Sequence, residues 1–306
     1  MPINQTNKLA WVVETILNSG KISFEELNQK WMEATDFSGG EELLKRTFHK
    51  WRYNILDTFG LEIVCEKGGE YRYYIGNAED LKDGGIGMWL LETFTVSNSL
   101  ITSKSIKNRI ILESVPSGLK YLDQIIQAMK ENRMIHITYN SYWSGDSRPH
   151  YLIPLCVKLF RQRWYLVGKV WANGHTAVFS LDRIKDFRKS SHEFEYPKDF
   201  DPHSFFNGFY GVFVDQEQKV ANVELKVTAS QANYLRDLPI HSSQIEKESN
   251  DEFSIFRIEV CPTYDFQQEI LKYGDQVEVL EPLWLRHQIA DKVQRMHQRY
   301  LCKSIK

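Results

Sequence analysis

At Arg133 the hydrophobic period of the chain changes from about 3.6 residues to two, and this switch narrows the possible folds more than any other feature. Before it, apolar residues recur at helical spacing, from Leu9, Val12, Val13, Ile16 and Leu17 to Leu119, Leu122, Ile126 and Met129, the last group following a helix start at Pro116-Ser117. After it, Ile135, Ile137 and Tyr139 alternate with His136, Thr138 and Asn140. Further strands are expected over 151–160, 163–171 and 176–181, with Asn173-Gly174 as a tight hairpin between the last two. Short strands separated by turns within about 60 residues predict a small barrel.

The front of the chain predicts three helices and a hairpin. Gly20 stops the first helix. Ser23-Phe24-Glu25-Glu26 is a capping box that opens a second helix carrying Phe24, Leu27 and Trp31. After a loop at Asp36–Gly40, a third helix places Leu44, Phe48, Trp51, Ile55 and Phe59 in one narrow apolar stripe. Its other side carries Arg46, His49, Lys50 and Tyr53, flanked by Lys45, Thr47 and Arg52, and no acid falls between Leu43 and Tyr53. Two alternating strands, 61–65 and 71–75, enclose the turn Lys67-Gly68-Gly69. Three helices and a hairpin describe a winged helix-turn-helix, whose third helix enters the major groove of duplex DNA. Lys67 at the hairpin tip and Arg72 beside it are placed to touch the backbone. The competing reading is a helical docking domain whose basic stripe faces an acidic partner.

Charge is unevenly spread beneath a formal total of −2. Lys and Arg against Asp and Glu number 9 against 13 in residues 1–80, 11 against 4 in 130–190, and 10 against 15 in 215–300. A basic middle between acidic flanks points to an anionic partner there, or to a solvated basic face. Residues 81–115 are helical and apolar and read as a connector. Residues 190–218, with Pro197, Pro202, Asn207-Gly208 and Gly211, read as a linker. Beyond it the expected order is β-α-β-β-α-β, a ferredoxin-like unit, ending in a helix from Pro282 to Tyr300.

In the middle segment, Arg163-Trp164-Tyr165-Leu166-Val167-Gly168 stands ahead of Leu181-Asp182-Arg183-Ile184. Together with Ile137-Thr138-Tyr139-Asn140-Ser141 and Pro154-Leu155, this pattern resembles the WYL-domain transcription regulators. Arg46-Thr47-Phe48-His49 is similar to the start of that family's recognition helix, although Leu44 replaces the usual serine cap. The resemblance implies an α+β multidomain chain: a winged helix-turn-helix over 1–80, a helical connector over 81–132, a WYL domain of Sm-like barrel fold over 133–190, a linker over 191–218 and a WCX extension over 219–306. It implies a homodimer that binds duplex DNA and senses a nucleotide or nucleic-acid fragment in the WYL domain. By motif, the effector-contacting residues are Tyr139, Ser141, Lys158, Arg163, Tyr165 and Arg183; Arg148, His150 and Arg161 join them by proximity. Arg236, Arg257 and Arg286 are candidates for completing a partner's site. On the strand, Trp164 and Leu166 alternate with Tyr165 and read as core, and Asp182 reads as orienting Arg183.

No nucleophile elbow, phosphate loop or H-E-x-x-H motif occurs, so no enzyme is expected. The cysteines Cys65, Cys156, Cys261 and Cys302 are scattered and form no C-x-x-C pair, so neither metal nor cofactor is expected. No apolar run reaches the roughly 18 residues of a membrane span, and a cytoplasmic setting is expected. The rival function is an RNA- or ssDNA-binding accessory protein whose front end mediates protein contacts.

Overall fold

The computed structural model describes residues 4–79, 85–102, 109–111, 118–142, 145–215 and 217–301. The helix start at Pro116-Ser117 and Cys302 lie outside them. The chain divides into two compact units, Met1–Glu113 and Ser114–Lys306.

The first unit opens with α1 (Gln5–Ser19), capped by the Asn4 side chain on the Asn7 amide. Helix α2 (Phe24–Glu33) follows and starts as the sequence dictates: Ser23 Oγ accepts from Glu26 N at 3.1 Å, and Glu26 Oε2 accepts from Ser23 N at 2.8 Å. The stretch read as a loop contains a short helix, α3 (Thr35–Ser38), which buries Phe37. Helix α4 (Lys45–Phe59) then buries Phe48, Trp51, Ile55 and Phe59, while Leu44 is 66% exposed and Leu43 takes its expected place in the core. Leu44 sits in extended backbone at the N-cap, outside the helical phase that set the stripe. Strands β1 (Ile63–Glu66) and β2 (Arg72–Ile75) form the wing, and Ile22 adds a bridge to Tyr73 that the sequence did not reveal.

Helix α5 (Ile86–Thr102) packs against α1 and α4 of the first unit, burying Leu91. Buried Asn7 donates to Asn98 Oδ1 at 2.6 Å, and Asn98 returns a bond to the Asn7 carbonyl, so a polar pair sets the register of an otherwise apolar contact. The segment read as one connector is therefore shared: α5 belongs to the first unit, while the turn Leu119–Tyr121 and α6 (Leu122–Lys130) belong to the second. The buried stripe of α6 is Tyr121, Ile125 and Ala128, and Leu119 is exposed, so the true face is rotated from the expected one.

The second unit contains an antiparallel five-stranded sheet, β3 (Arg133–Asn140), β4 (Ser147–Phe160), β5 (Arg163–Val170), β6 (Thr176–Ser180) and β7 (Ile184–Glu193), in the order β6-β5-β4-β3-β7. It is not a closed barrel. Strands β6 and β7 are its two edges and do not pair with each other among the described residues. The five-residue β6 ends at Ser180, and the turn Leu181–Arg183 leads directly into β7. One face packs on α6 through Ile135, Ile137, Leu152, Leu166 and Phe179. A bulge between Pro154 and Cys156 leaves Leu155 without a partner on β5 and reverses which residues of β4 face α6. Before the bulge Leu152 points to α6; after it Val157 does, and Lys158 points away.

The opposite face buries Ile153, Leu155, Cys156 and Val167 beneath Phe194, Phe200, Phe205 and Phe206. The segment expected to be a linker thus carries α7 (Pro202–Phe206) and packs as part of the unit. Beyond it lie β8 (Ala221–Thr228), α8 (Ala229–Asp237), β9 (Ile245–Ser249), β10 (Phe253–Val260), α9 (Tyr264–Lys272), β11 (Val277–Glu281) and α10 (Leu283–Leu301). Their β-α-β-β-α-β order matches the expected one, and the antiparallel sheet runs β11-β8-β10-β9.

Candidate nucleic-acid interface and anion site

Helix α4 has two unlike sides. Its buried stripe fixes the helix against α1 and the wing, and each such large apolar side chain contributes roughly 1.5–3 kcal/mol of burial. Before the helix, Leu43 N donates to Asn28 Oδ1 at 2.7 Å, which ties the entering chain to α2. On the outer side Lys45, Arg46, His49, Lys50 and Tyr53 are exposed, and Thr47 is half-buried. Arg46, Thr47 and Lys50 line an open groove with Gln5 and Lys8 of α1, so Lys8 extends the basic surface beyond the helix.

Of the other predicted cations, Arg52, Lys45 and Arg72 are engaged within the unit. Arg52 donates through Nε at 3.1 Å and Nη2 at 2.5 Å to the Ile63 carbonyl, and its guanidinium lies over the Tyr73 ring. It fastens the helix to the wing. Lys45 pairs with Glu25 at 3.3 Å, both largely exposed. Arg72 pairs with Glu70 at 2.7 Å and Glu26 at 3.5 Å, and the hydrogen bond it donates to Glu70 holds its guanidinium above the usual range. Lys67 is exposed at the hairpin tip.

In the second unit the register brings Lys158, Tyr165 and Ser180 into one cross-strand row, with Arg163 two residues from Tyr165 on the same face. Arg163 Nη2 donates to Asp182 Oδ2 at 2.6 Å and reaches Ser180 Oγ at 3.3 Å. Asp182 therefore orients Arg163, not Arg183 as expected. Burial pushes the Asp182 carboxyl up, but the bonds from Ser180 and Arg163 outweigh it and hold it below the usual range. Arg183 instead stacks on Tyr142, its guanidinium carbon 4.0 Å from the ring centroid. Burial raises the Tyr165 phenol, opposed first by the positive charge of Arg163, whose guanidinium carbon lies 6.0 Å from the ring centroid. The Nε atoms of Arg163 and Arg183 are buried and have no hydrogen-bond partner among the described residues.

Such a group can clamp an anion. Guanidinium donors, the Ser180 hydroxyl and two tyrosine faces suit a phosphate with an attached ring. Gly118 allows the Asp182-Arg183 turn to sit close to the start of α6: its φ is +75°, and a Cβ there would lie 2.8 Å from Asp182 N.

Other predicted residues lie elsewhere. Tyr139 accepts from Ser180 N at 3.2 Å, bordering the group from the other face. His150 packs against Phe179 and Tyr139 on the α6 side, and its imidazole is held low, first by burial and then by Arg148 and His136. Arg148 is exposed and pairs with Asp146 at 3.6 Å, while Ser141 N donates to Asp146 O. Lys158 donates to the Gly211 carbonyl at 2.6 Å over the Phe206 ring, and burial lowers its ammonium. Arg161 bonds to Glu269 and to Tyr210. Arg236 holds Glu246, Arg286 holds Glu278 and Arg257 lies 3.8 Å from Glu259, so all three extension arginines face internal partners. Sequence reading missed Ser180 and Tyr142, since only strand register and the turn place them beside the arginines.

No group of His, Cys, Asp and Glu that could hold a metal ion occurs among the described residues. No helix among them is long and apolar enough to cross a membrane.

Residues 120–189 match the family model of the WYL domain, and residues 219–297 match that of the WCX domain. No curated protein shows significant similarity to the chain. Among solved structures, the chain is similar to proteasome accessory factor B/C (PafBC) of Arthrobacter aurescens, at 18% identity and a TM-score of 0.38. The match covers 95% of this chain and 46% of that one, so the chain spans less than half of PafBC. A CRISPR Cas-related protein matches at 11% identity and a TM-score of 0.41, over 99% of this chain and 88% of that one.

Proposed function

Because the chain carries a WYL domain at 120–189 followed by a WCX domain at 219–297, we propose that it is a ligand-responsive transcription regulator that binds operator DNA through its first unit. The observation that carries this reading is the division of α4, apolar and buried on one side, with Arg46, His49 and Lys50 exposed on the other. A helix held this firmly from behind presents its cations as a rigid set to the major groove. Arg46 and Lys50 supply the main contacts, Lys45, Thr47, His49 and Tyr53 border them, and Lys8 and Lys67 add backbone charge. Arg52 and Arg72 support the surface from within.

The effector is an anion with an aromatic ring, of the nucleotide or nucleic-acid-fragment class. Arg163 and Arg183 grip its charge, with Ser180, Tyr165 and Tyr142 around them. The protein acts as a homodimer, because two-fold proteins match two-fold operators. Occupancy of the arginine pair changes the placement of the two reading helices, which couples the sites.

The test compares binding to duplex from the protein's own upstream region with binding to random duplex at about 150 mM salt. A preference for the upstream duplex is expected. No preference, combined with persistent binding to single strands, would overturn the regulator reading and favour a nucleic-acid-binding accessory protein.

A further inference from the structure

The hairpin joining β4 to β5 turns through Arg161 and Gln162, whose φ values are +48° and +61°. A two-residue turn with both φ angles positive ordinarily takes Asn-Gly or Asp-Gly. Arginine and glutamine are strained there, so contacts outside the turn help the flanking β4–β5 pairs to hold it.

The neighbouring contacts supply that hold. Arg161 bonds to the carboxylate of Glu269 on α9 and donates to Tyr210 Oη at 2.7 Å. Glu269 is only 5% exposed and also accepts from Lys272 Nζ at 2.6 Å and Tyr273 Oη at 3.0 Å. A second tether lies three residues back, where Lys158 bonds to the Gly211 carbonyl. That segment is fixed in turn to α9, because Asp265 Oδ2 accepts from Val212 N at 2.8 Å and Phe213 N at 2.7 Å. The hairpin is thus fastened to the WCX domain at two points, and Arg163 of the anion site is the first residue beyond the turn.

We propose that Glu269 of the WCX domain is a positioning residue for the anion site of the WYL sheet, acting through Arg161 and the strained turn to aim Arg163. The proposal rests on the anion-site reading given above. Glu269 touches no ligand, yet the energy with which Arg163 meets an anion includes the energy of keeping the turn in place. By reciprocity, an anion drawn to Arg163 alters how firmly α9 is seated.

The test is hydrogen exchange on the full chain, followed across residues 158–166, in wild type, Glu269→Gln and Arg161→Ala. Both variants should raise exchange in the hairpin by about tenfold while β8 and β10 keep their protection. Pyrophosphate, used as the probe anion, should bind both variants about fivefold more weakly than wild type. Arg161 lies on an exposed turn, so its variant stays informative if Glu269→Gln disturbs the extension. Unchanged hairpin exchange in both variants overturns the proposal, as does loosening confined to α9. Failure of wild type to bind pyrophosphate would remove the anion-site reading, and the exchange data would still decide whether Glu269 holds the hairpin.

Discussion

Arg163 donates to Asp182 at 2.6 Å while its own Nε lies buried without a partner among the described residues. The guanidinium is thus only partly satisfied, by an internal carboxylate. On the anion-site proposal, an incoming anion would have to bind beside that carboxylate or displace it, and Asp182 would compete with it.

Replacing Asp182 with Asn should therefore tighten pyrophosphate binding several-fold, because a negative charge beside the site is removed. The same change should lower stability by about 1–3 kcal/mol, since it weakens a charge-assisted bond to a half-buried arginine. Calorimetric titration and thermal melting measure the two effects separately. Weaker anion binding by the variant would show that Asp182 helps to build the site.

Within α4 the cations should fall into two classes. Arg46→Ala with Lys50→Ala should reduce duplex affinity by at least about tenfold and lower the salt slope by about 1.8, the share of two phosphate contacts. Arg52→Ala should leave that slope unchanged and cost about 1.5–3 kcal/mol of stability through its lost bonds to Ile63. Reversal of these two results in a salt titration would reverse the assignment.

His150 should make stability depend on pH. The folded chain holds its imidazole below the ordinary value, so the unfolded chain binds the proton more readily. Stability should be greatest above about pH 6.5 and decline as pH falls from there toward the depressed folded value. In denaturant titrations, His150→Phe should flatten much of this slope, leaving the part due to His241, which burial also holds low. A wild-type profile that is flat between about pH 7 and 5 would count against it.

Gly118→Ala should destabilise the second unit by about 1 kcal/mol or more. The positive φ disfavours a side chain, and the added carbon would crowd Leu181 and Asp182. Pyrophosphate affinity should fall as well, because the crowded turn carries Arg183. A variant that melts and binds like wild type would show that the turn can move aside.

Much of the fold was legible where one face is buried and the other is wet. The α4 stripe and the β-α-β-β-α-β element order of the extension follow from such contrast, and the Ser23 capping box follows from local hydrogen bonding. Strand β7 escaped notice because an edge strand buries little: apart from Ile184, its residues are exposed or half-buried, so no alternation shows. The linker reading was drawn from Pro and Gly, whereas Phe194, Phe200, Phe205 and Phe206 carried the opposite signal of a packed segment. At the candidate site, the resemblance to the family motif singled out Arg163 and Arg183, but not their partners. Pairings such as Arg163 with Asp182, or Arg161 with Glu269, depend on register and on distant segments, which local patterns do not encode.

The single extra residue at Leu155 has a consequence for how this chain can vary. Strict alternation along β4 would turn Lys158 toward α6 and set an apolar residue beside Tyr165. The bulge makes β4 two rulers laid end to end, each counting from its own zero. A one-residue deletion at 154–156 would remove the bulge yet leave Lys158 opposite Tyr165, whereas straightening the strand with every residue kept would exchange inside for outside along its remainder. The site's chemistry thus depends on a count as much as on the identity of its side chains.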